Sequence, residues 1–316
     1  MIYDNLEKVP DPEKKEHFSV QKFTESQAEA SPERLNEDAA VVLENERILV
    51  VAVIDGATAT SAVTEIGSKP SAAGGRFAAQ TIIEGIKESF DAAVSARELL
   101  LDANQKIADK LLEQGVDAQS VSSLELSRAS GCLVRIDKTR EEIEISQAGD
   151  TACLIVNQDG HISLALPLDS DIYDEKTILL AQKISADQGI SLSEAFKCFE
   201  ISELMNASQN ANNDPNGQGN GVLNGSKNLK QYIQTKTWSS LKDVRRIILL
   251  TDGLYLPTEE FNAEPNWSEI AELIKAAGLK GLYQEVLTLK NADPELKKYP
   301  RFKKHDDATG VVIDIM

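Results

Sequence analysis

Apolar residues recur along the chain with two different periods, and each change of period marks a new element. Ala39 to Leu43 and Arg47 to Ile54 are apolar runs parted by Glu44-Asn45-Glu46, the pattern of two strands in a hairpin, with Asp55 ending the second. Phe18, Val20 and Phe23 mark an earlier short strand of imperfect alternation. Phe77, Ala78, Ile82, Ile83 and Ile86 recur at helical spacing, as do Leu99, Leu100, Ala103, Ile107, Leu111 and Leu112, which predicts two long amphipathic helices over about 71–90 and 94–114.

Strand character returns in Ser130–Asp137, Glu142–Ala148, Ala152–Asn157 and Ile162–Leu166. The intervening Lys138-Thr139-Arg140, Gly149-Asp150 and Gln158-Asp159-Gly160 carry hairpin chemistry, so the four strands are expected as an antiparallel meander. Asp171 to Ser208 reads as helical, and 206–226, rich in Asn and Gly, as a mobile loop. Arg245–Thr251, Trp267–Ala277 and Gly310–Ile315 then add strand, helix and strand. Successive strands with separate amphipathic helices place the chain in the α+β class, helices packed on antiparallel sheet. Residues 1–15, with Pro10, Pro12 and many charges, are expected to form a loosely ordered arm.

Composition narrows the partners. Lys+Arg 33 against Asp+Glu 51 leaves a net charge of −18, which argues against nucleic acid and anionic membrane surfaces. A phosphorylated substrate stays open, because a bound cation reverses the local field. Cys132, Cys153 and Cys198 follow no CxxC spacing and read as free thiols of a reducing compartment. The N-terminal residues are too charged for a signal peptide and no apolar stretch reaches membrane-spanning length, so a cytoplasmic protein is expected.

The candidate chemistry lies at strand ends. Asn36-Glu37-Asp38, Ile54-Asp55-Gly56, Leu250-Thr251-Asp252-Gly253 and Asp306-Asp307-Ala308-Thr309 each flank an apolar run. A carboxylate at a strand end is held by the sheet yet faces a cleft, and several together make an oxygen-rich cage for hard divalent cations. Taken singly, each Asp-Gly pair is only a turn signal.

In this order, together with Gly149-Asp150-Thr151-Ala152, the motifs resemble those of the metal-dependent Ser/Thr protein phosphatases of the PPM, or type-2C, family. The resemblance runs from about residue 17 to the end. It implies an α-β-β-α sandwich of two antiparallel sheets flanked by helices, formed by one phosphatase domain over 16–316 with a variable helical and loop insertion at about 167–235. It implies hydrolysis of phosphoserine and phosphothreonine in phosphorylated proteins, through water activated between two Mn²⁺ or Mg²⁺ ions, with a third at a weaker site.

In that family Asp55 would bridge two ions and the Gly56 carbonyl would add a ligand. Asp252 and Asp306 would complete one ion's shell, and Glu37 would hold the second ion or its waters. Asp38 would orient these ligands from outside, and Asp150 would serve the third ion. Two positions depart from the pattern. Ala57 stands where many members carry a proton-donating His, and Glu33 where they carry a phosphate-binding Arg, leaving Arg34, one residue later, as the expected phosphate contact. Two other functions remain: a non-catalytic regulatory member of the same fold, and a phosphatase of small metabolites. A haloacid-dehalogenase reading fails for want of an Asp-x-Asp pair.

Overall fold

Ten strands and six helices follow one another in a computed structural model that describes residues 18–26, 36–57, 74–169, 172–217, 219–261 and 263–316. In chain order they are β1 (Phe18–Glu25), β2 (Ala39–Glu44), β3 (Ile48–Ala57), α1 (Gly75–Glu88), α2 (Ala96–Glu113), β4 (Arg128–Asp137), β5 (Glu142–Ala148), β6 (Ala152–Asn157) and β7 (Ile162–Leu164). There follow α3 (Ile172–Gln188), α4 (Leu192–Ala195), α5 (Phe199–Ala211), β8 (Gln234–Trp238), β9 (Val244–Leu250), α6 (Trp267–Asn291) and β10 (Ala308–Ile315). The expected arm over 1–15 lies outside the described residues.

Two five-stranded antiparallel sheets run β1-β10-β9-β6-β7 and β2-β3-β4-β5-β8. Strand alternation explains how they stack. Along β3, Ile48, Val50, Ala52 and Ile54 pack with Ala78, Ile82, Leu99 and Ile107 of α1 and α2, while Leu49, Val51 and Val53 meet Ile247, Leu249, Val311 and Ile313 of the other sheet. On that second sheet the opposite face, with Leu154, Ile248, Leu250 and Val312, packs on Ile270, Ile274, Leu282 and Val286 of α6. The layers are therefore helix, sheet, sheet, helix, the expected α-β-β-α sandwich. At about 1.5–3 kcal/mol for each fully buried aliphatic side chain, three such continuous cores supply the main drive to fold.

Local sequence explains the helix ends. Ser95 caps α2 by accepting from the Glu98 N–H, while Glu98 Oε2 accepts from the Ser95 N–H at 2.9 Å, a reciprocal capping box. Gly278, non-helical at φ 71°, interrupts α6, so the helix expected over Trp267–Ala277 ends where expected and a second helical segment runs on to Asn291.

Four expectations need correction. Asp55 does not end its strand; β3 continues to Ala57, with Asp55 opposite Ser130 and Ala57 opposite Arg128 on β4. Gly149-Asp150 is no hairpin, because β5 and β6 belong to different sheets and the chain crosses between layers there. The four-strand meander is thus two hairpins, β4-β5 and β6-β7, one in each sheet.

The run over 206–226 is likewise no free loop. α5 extends to Ala211, and buried Asn213 donates to Val222 O at 2.7 Å and to Asn224 Oδ1 at 2.9 Å. Asn104 of α2 in turn accepts from the Asn224 and Gly225 N–H groups. Side-chain amides here provide the pairing that a sheet would otherwise give the backbone. Finally, β8 is an edge strand for which Gln-Thr-Lys-Thr-Trp carries only a weak sequence signal.

Candidate metal centre

The inner faces of both sheets change from aliphatic to acidic at one end of the sandwich. Asp55 continues the register of Leu49, Val51 and Val53, and Asp38 that of Ala40; opposite them, Thr251 extends the series Ile247 and Leu249, and Thr309 and Asp307 the series Ile313 and Val311. The alternation that builds the core thus also aims the polar residues into the seam between the sheets.

Hydrogen bonds fix these strand ends against each other. Thr251 Oγ1 donates to Asp38 Oδ2 at 2.8 Å and accepts from the Thr309 N–H at 2.9 Å. Asp307 Oδ2 accepts from the Glu37 N–H at 2.8 Å, while Asp306 Oδ1 accepts from the Asp307 N–H at 2.9 Å. Ser130, opposite Asp55 in the ladder, hydrogen-bonds the Asp150 carboxylate, so the crossing at Gly149-Asp150 brings that acid to Asp55. Tyr255 holds the crossing from outside, its hydroxyl donating to Asp150 O at 2.5 Å and its ring edge-on to Trp267.

Two glycines are required by close backbone approach. A Cβ on Gly56 would lie 2.4 Å from Glu37 O and 2.4 Å from Gly75 O; one on Gly253 would lie 1.9 Å from Asp307 O. The Asp-Gly pairs are therefore packing requirements as well as turn chemistry.

Electrostatically the acids form one group. Burial, then Asp38, Asp252, Asp306 and Asp150, push Asp55 well above the ordinary carboxylate range. Burial also raises Asp38, against the Thr251 hydrogen bond and with Asp252, Asp306 and Asp307 adding to it. Asp150 is raised by burial and by Asp169 and Asp306, against the Ser130 hydrogen bond. Burial and Asp252 bring Asp306 to about 6, opposed by Lys303, whose Nζ lies 2.5 Å from Asp306 Oδ1. Half-buried like charges at this density call for a cation.

The donors present fit one. They are all oxygen, and buried Asp252 Oδ1 has no hydrogen-bond partner. Among the described residues no three His, Cys, Asp or Glu side chains close on a single point, so the acids are neighbours rather than a finished cage.

The structure thus brings Glu37, Asp38, Asp55, Gly56, Asp150, Asp252 and Asp306 to one end of the sandwich. Arg34 lies outside the described residues. Sequence reasoning missed Thr251 as the link to Asp38, Tyr255, and Lys303. For Lys303, the Lys303-Lys304 pair immediately before His305-Asp306 was a usable signal.

A family model described as "Protein phosphatase 2C" matches residues 27–289. No curated protein sequence matches the chain. Among solved structures it is similar to the serine/threonine phosphatase Stp1 from Staphylococcus aureus, at 16% identity and TM-score 0.53 over 95% of each chain. It is similar to the Mycobacterium tuberculosis serine/threonine phosphatase PstP/Ppp at 15% identity and TM-score 0.50, over 94% of this chain and 98% of that one. RsbX in complex with magnesium matches at 13% identity and TM-score 0.50, over 96% and 98%. At such identities these likenesses establish the fold. No helix among the described residues is long and apolar enough to cross a membrane.

Proposed function

The chain belongs to the protein phosphatase 2C family, a family of metal-dependent protein serine/threonine phosphatases, and on that premise we propose that the acidic strand ends are its catalytic centre. One observation carries the assignment. Four half-buried carboxylates from both sheets, Asp38, Asp55, Asp150 and Asp306, are gathered at one end of the sandwich, beside the unpartnered Asp252 Oδ1.

Asp55, Asp252 and Asp306 would hold one divalent ion in this reading, and Asp55, the Gly56 carbonyl and Glu37 would hold a second. Asp150 serves a third, weaker position. The ions are Mn²⁺ or Mg²⁺, as an all-oxygen donor set favours. Bound there, they would activate water as the nucleophile and offset charge on the phosphoryl group. Asp38, held by Thr251, orients the ligand carboxylates from outside their shell. Tyr255 fixes the backbone of Asp150, and the aliphatic seam behind Asp55 keeps bulk water from the floor of the site. Ala57 supplies no proton donor, so the leaving oxygen takes its proton from solvent or departs as an anion.

The substrate is a phosphoserine or phosphothreonine protein of unassigned identity. Residues 16–316 act as one phosphatase domain carrying the insertion at about 167–235. The RsbX magnesium complex and the phosphatase names of the similar structures support this reading. Hydrolysis of an aryl phosphate and of a phosphothreonine peptide with and without Mn²⁺ tests it. Turnover should require the ion, and full turnover in excess chelator would refute it.

A further inference from the structure

We propose that Lys303 is the cation that receives the substrate's phosphoryl group at this site, and that the α3–α5 insertion helps to position it. The inference rests on the phosphatase reading above and adds a residue to it.

A phosphate monoester brings negative charge to a group of acids, so a cation in contact with them adds to the charge that the ions would supply. Lys303 is such a cation. Its side chain is 50% exposed, yet its ammonium pairs with Asp306 and also lies in the fields of Asp252 and Asp55. The stem therefore runs from solvent to the acid group.

The loop before Lys303 is held with unusual firmness. Arg301 donates to Asp293 Oδ2 at 2.9 Å, to Tyr299 O at 2.7 Å and to Lys290 O at 2.9 Å, which staples the loop to the end of α6. Leu296 sits at φ 60°, a costly conformation for a branched residue, kept by burial against Ala181, Ile184, Leu192 and Ile201 of the insertion. Phe302 packs on Phe196 at the end of α4 and on Phe261, with ring centroids 5.4 and 6.1 Å away. A lysine anchored on both sides loses less entropy on binding a phosphate than a free surface lysine does, and its placement depends on the insertion.

The test has two arms. In the unaltered protein with Mn²⁺, inorganic phosphate should protect Lys303 from acetic anhydride while the neighbouring, exposed Lys304 continues to be labelled, as read by peptide mass spectrometry. In Lys303→Gln, the inhibition constant of inorganic phosphate and the KM for an aryl phosphate should rise about 10–100-fold, the loss of one charge-assisted hydrogen bond. Lys303→Arg should recover most of both. Mn²⁺ affinity by calorimetry should not weaken in Lys303→Gln, since a positive neighbour of Asp306 is removed. Phe302→Ala should raise KM more than it lowers kcat.

Equal labelling with and without phosphate would overturn the inference. So would an unchanged phosphate inhibition constant in Lys303→Gln, or one that changes only in step with lost Mn²⁺ affinity. An unaltered chain with no Mn²⁺-dependent hydrolysis would overturn the phosphatase reading, and this inference with it.

Discussion

Thr251 Oγ1 donates to Asp38 Oδ2 across 2.8 Å, and this bond joins a residue that follows β9 to one that precedes β2, in different sheets. The same hydroxyl accepts from the Thr309 N–H, so one side chain sets the spacing of three strand ends. Thr251→Val keeps the shape but leaves Asp38 and the Thr309 N–H without that partner. We expect a stability loss of about 1–3 kcal/mol, from stranding buried polar groups. Mn²⁺ affinity should fall about 10–100-fold, as for other lost outer partners of metal ligands, with Asp38→Ala giving a loss of the same order. Thr251→Ser should be near normal. Calorimetric Mn²⁺ titration decides, and an unchanged affinity in Thr251→Val would remove Asp38 from any orienting role.

Asp55→Asn and Asp252→Asn should each abolish Mn²⁺-dependent hydrolysis. Their stability in chelator gives the sharper result. Asp55 is crowded by Asp38, Asp252, Asp306 and Asp150, so an uncharged isostere relieves repulsion. Asp55→Asn should therefore melt higher than the unaltered chain in chelator and lose that advantage when Mn²⁺ saturates the latter. A lower melting temperature in chelator would show that the acids are not in electrostatic conflict.

Gly56→Ala introduces a methyl 2.4 Å from two carbonyl oxygens, those of Glu37 and Gly75. Because both obstacles are backbone, the strand ends must part. A cost of about 1–3 kcal/mol is expected from overpacking, with a larger fractional loss of hydrolysis than of stability, since Glu37 is displaced. Urea unfolding and kcat/KM on one preparation compare the two; full activity would mean that the contact is not needed by the site.

Asp137 lies at the other end of β4, opposite Ile48, and offers a pH prediction free of the metal site. Burial favours its neutral form, yet the Thr139 hydroxyl, the Arg140 and Thr139 N–H groups and Arg47 overcome this and hold it at about 2. A folded value below the unfolded one means that the folded state binds fewer protons, so the stabilisation is complete above the ordinary Asp range and fades as pH falls from about 4 towards about 2. Asp137→Asn should be less stable at pH 7, the difference should shrink over that window, and hydrolysis at pH 7 should be unchanged. A difference constant with pH would assign the effect to packing.

Much of the architecture was legible because aliphatic alternation is a local record of burial. The odd and even residues of 48–54 name their two cores directly. The acid motifs were legible for the same reason, since Asp55 and Asp252 stand where an apolar run stops being apolar. What failed was non-local. Gly149-Asp150 has the chemistry of a turn, and only the partners of β5 and β6 show that it crosses between layers. Asn213 and Asn224 look like loop residues by composition; their burial depends on each other and on Asn104, about 120 residues away in sequence. Lys303 was passed over because a charged loop residue is ordinarily solvated, and no periodicity reveals a carboxylate waiting for it.

β1 pairs with β10 along all eight of its residues, Phe18 against Ile315 through to Glu25 against Ala308. During synthesis on the ribosome, the sheet that carries Asp252 and Asp306 must therefore wait for the last segment of this sequence before it can close. The helix-covered sheet with Asp55 can be assembled earlier, from residues 39–148 and β8. A nascent chain would then hold one half of the acid group with nothing to complete it, and hydrolytic competence would arise in a single late step. Long-range closure of this kind is slow, and the unpaired edges of β9 and β1 stay open to aggregation until it occurs.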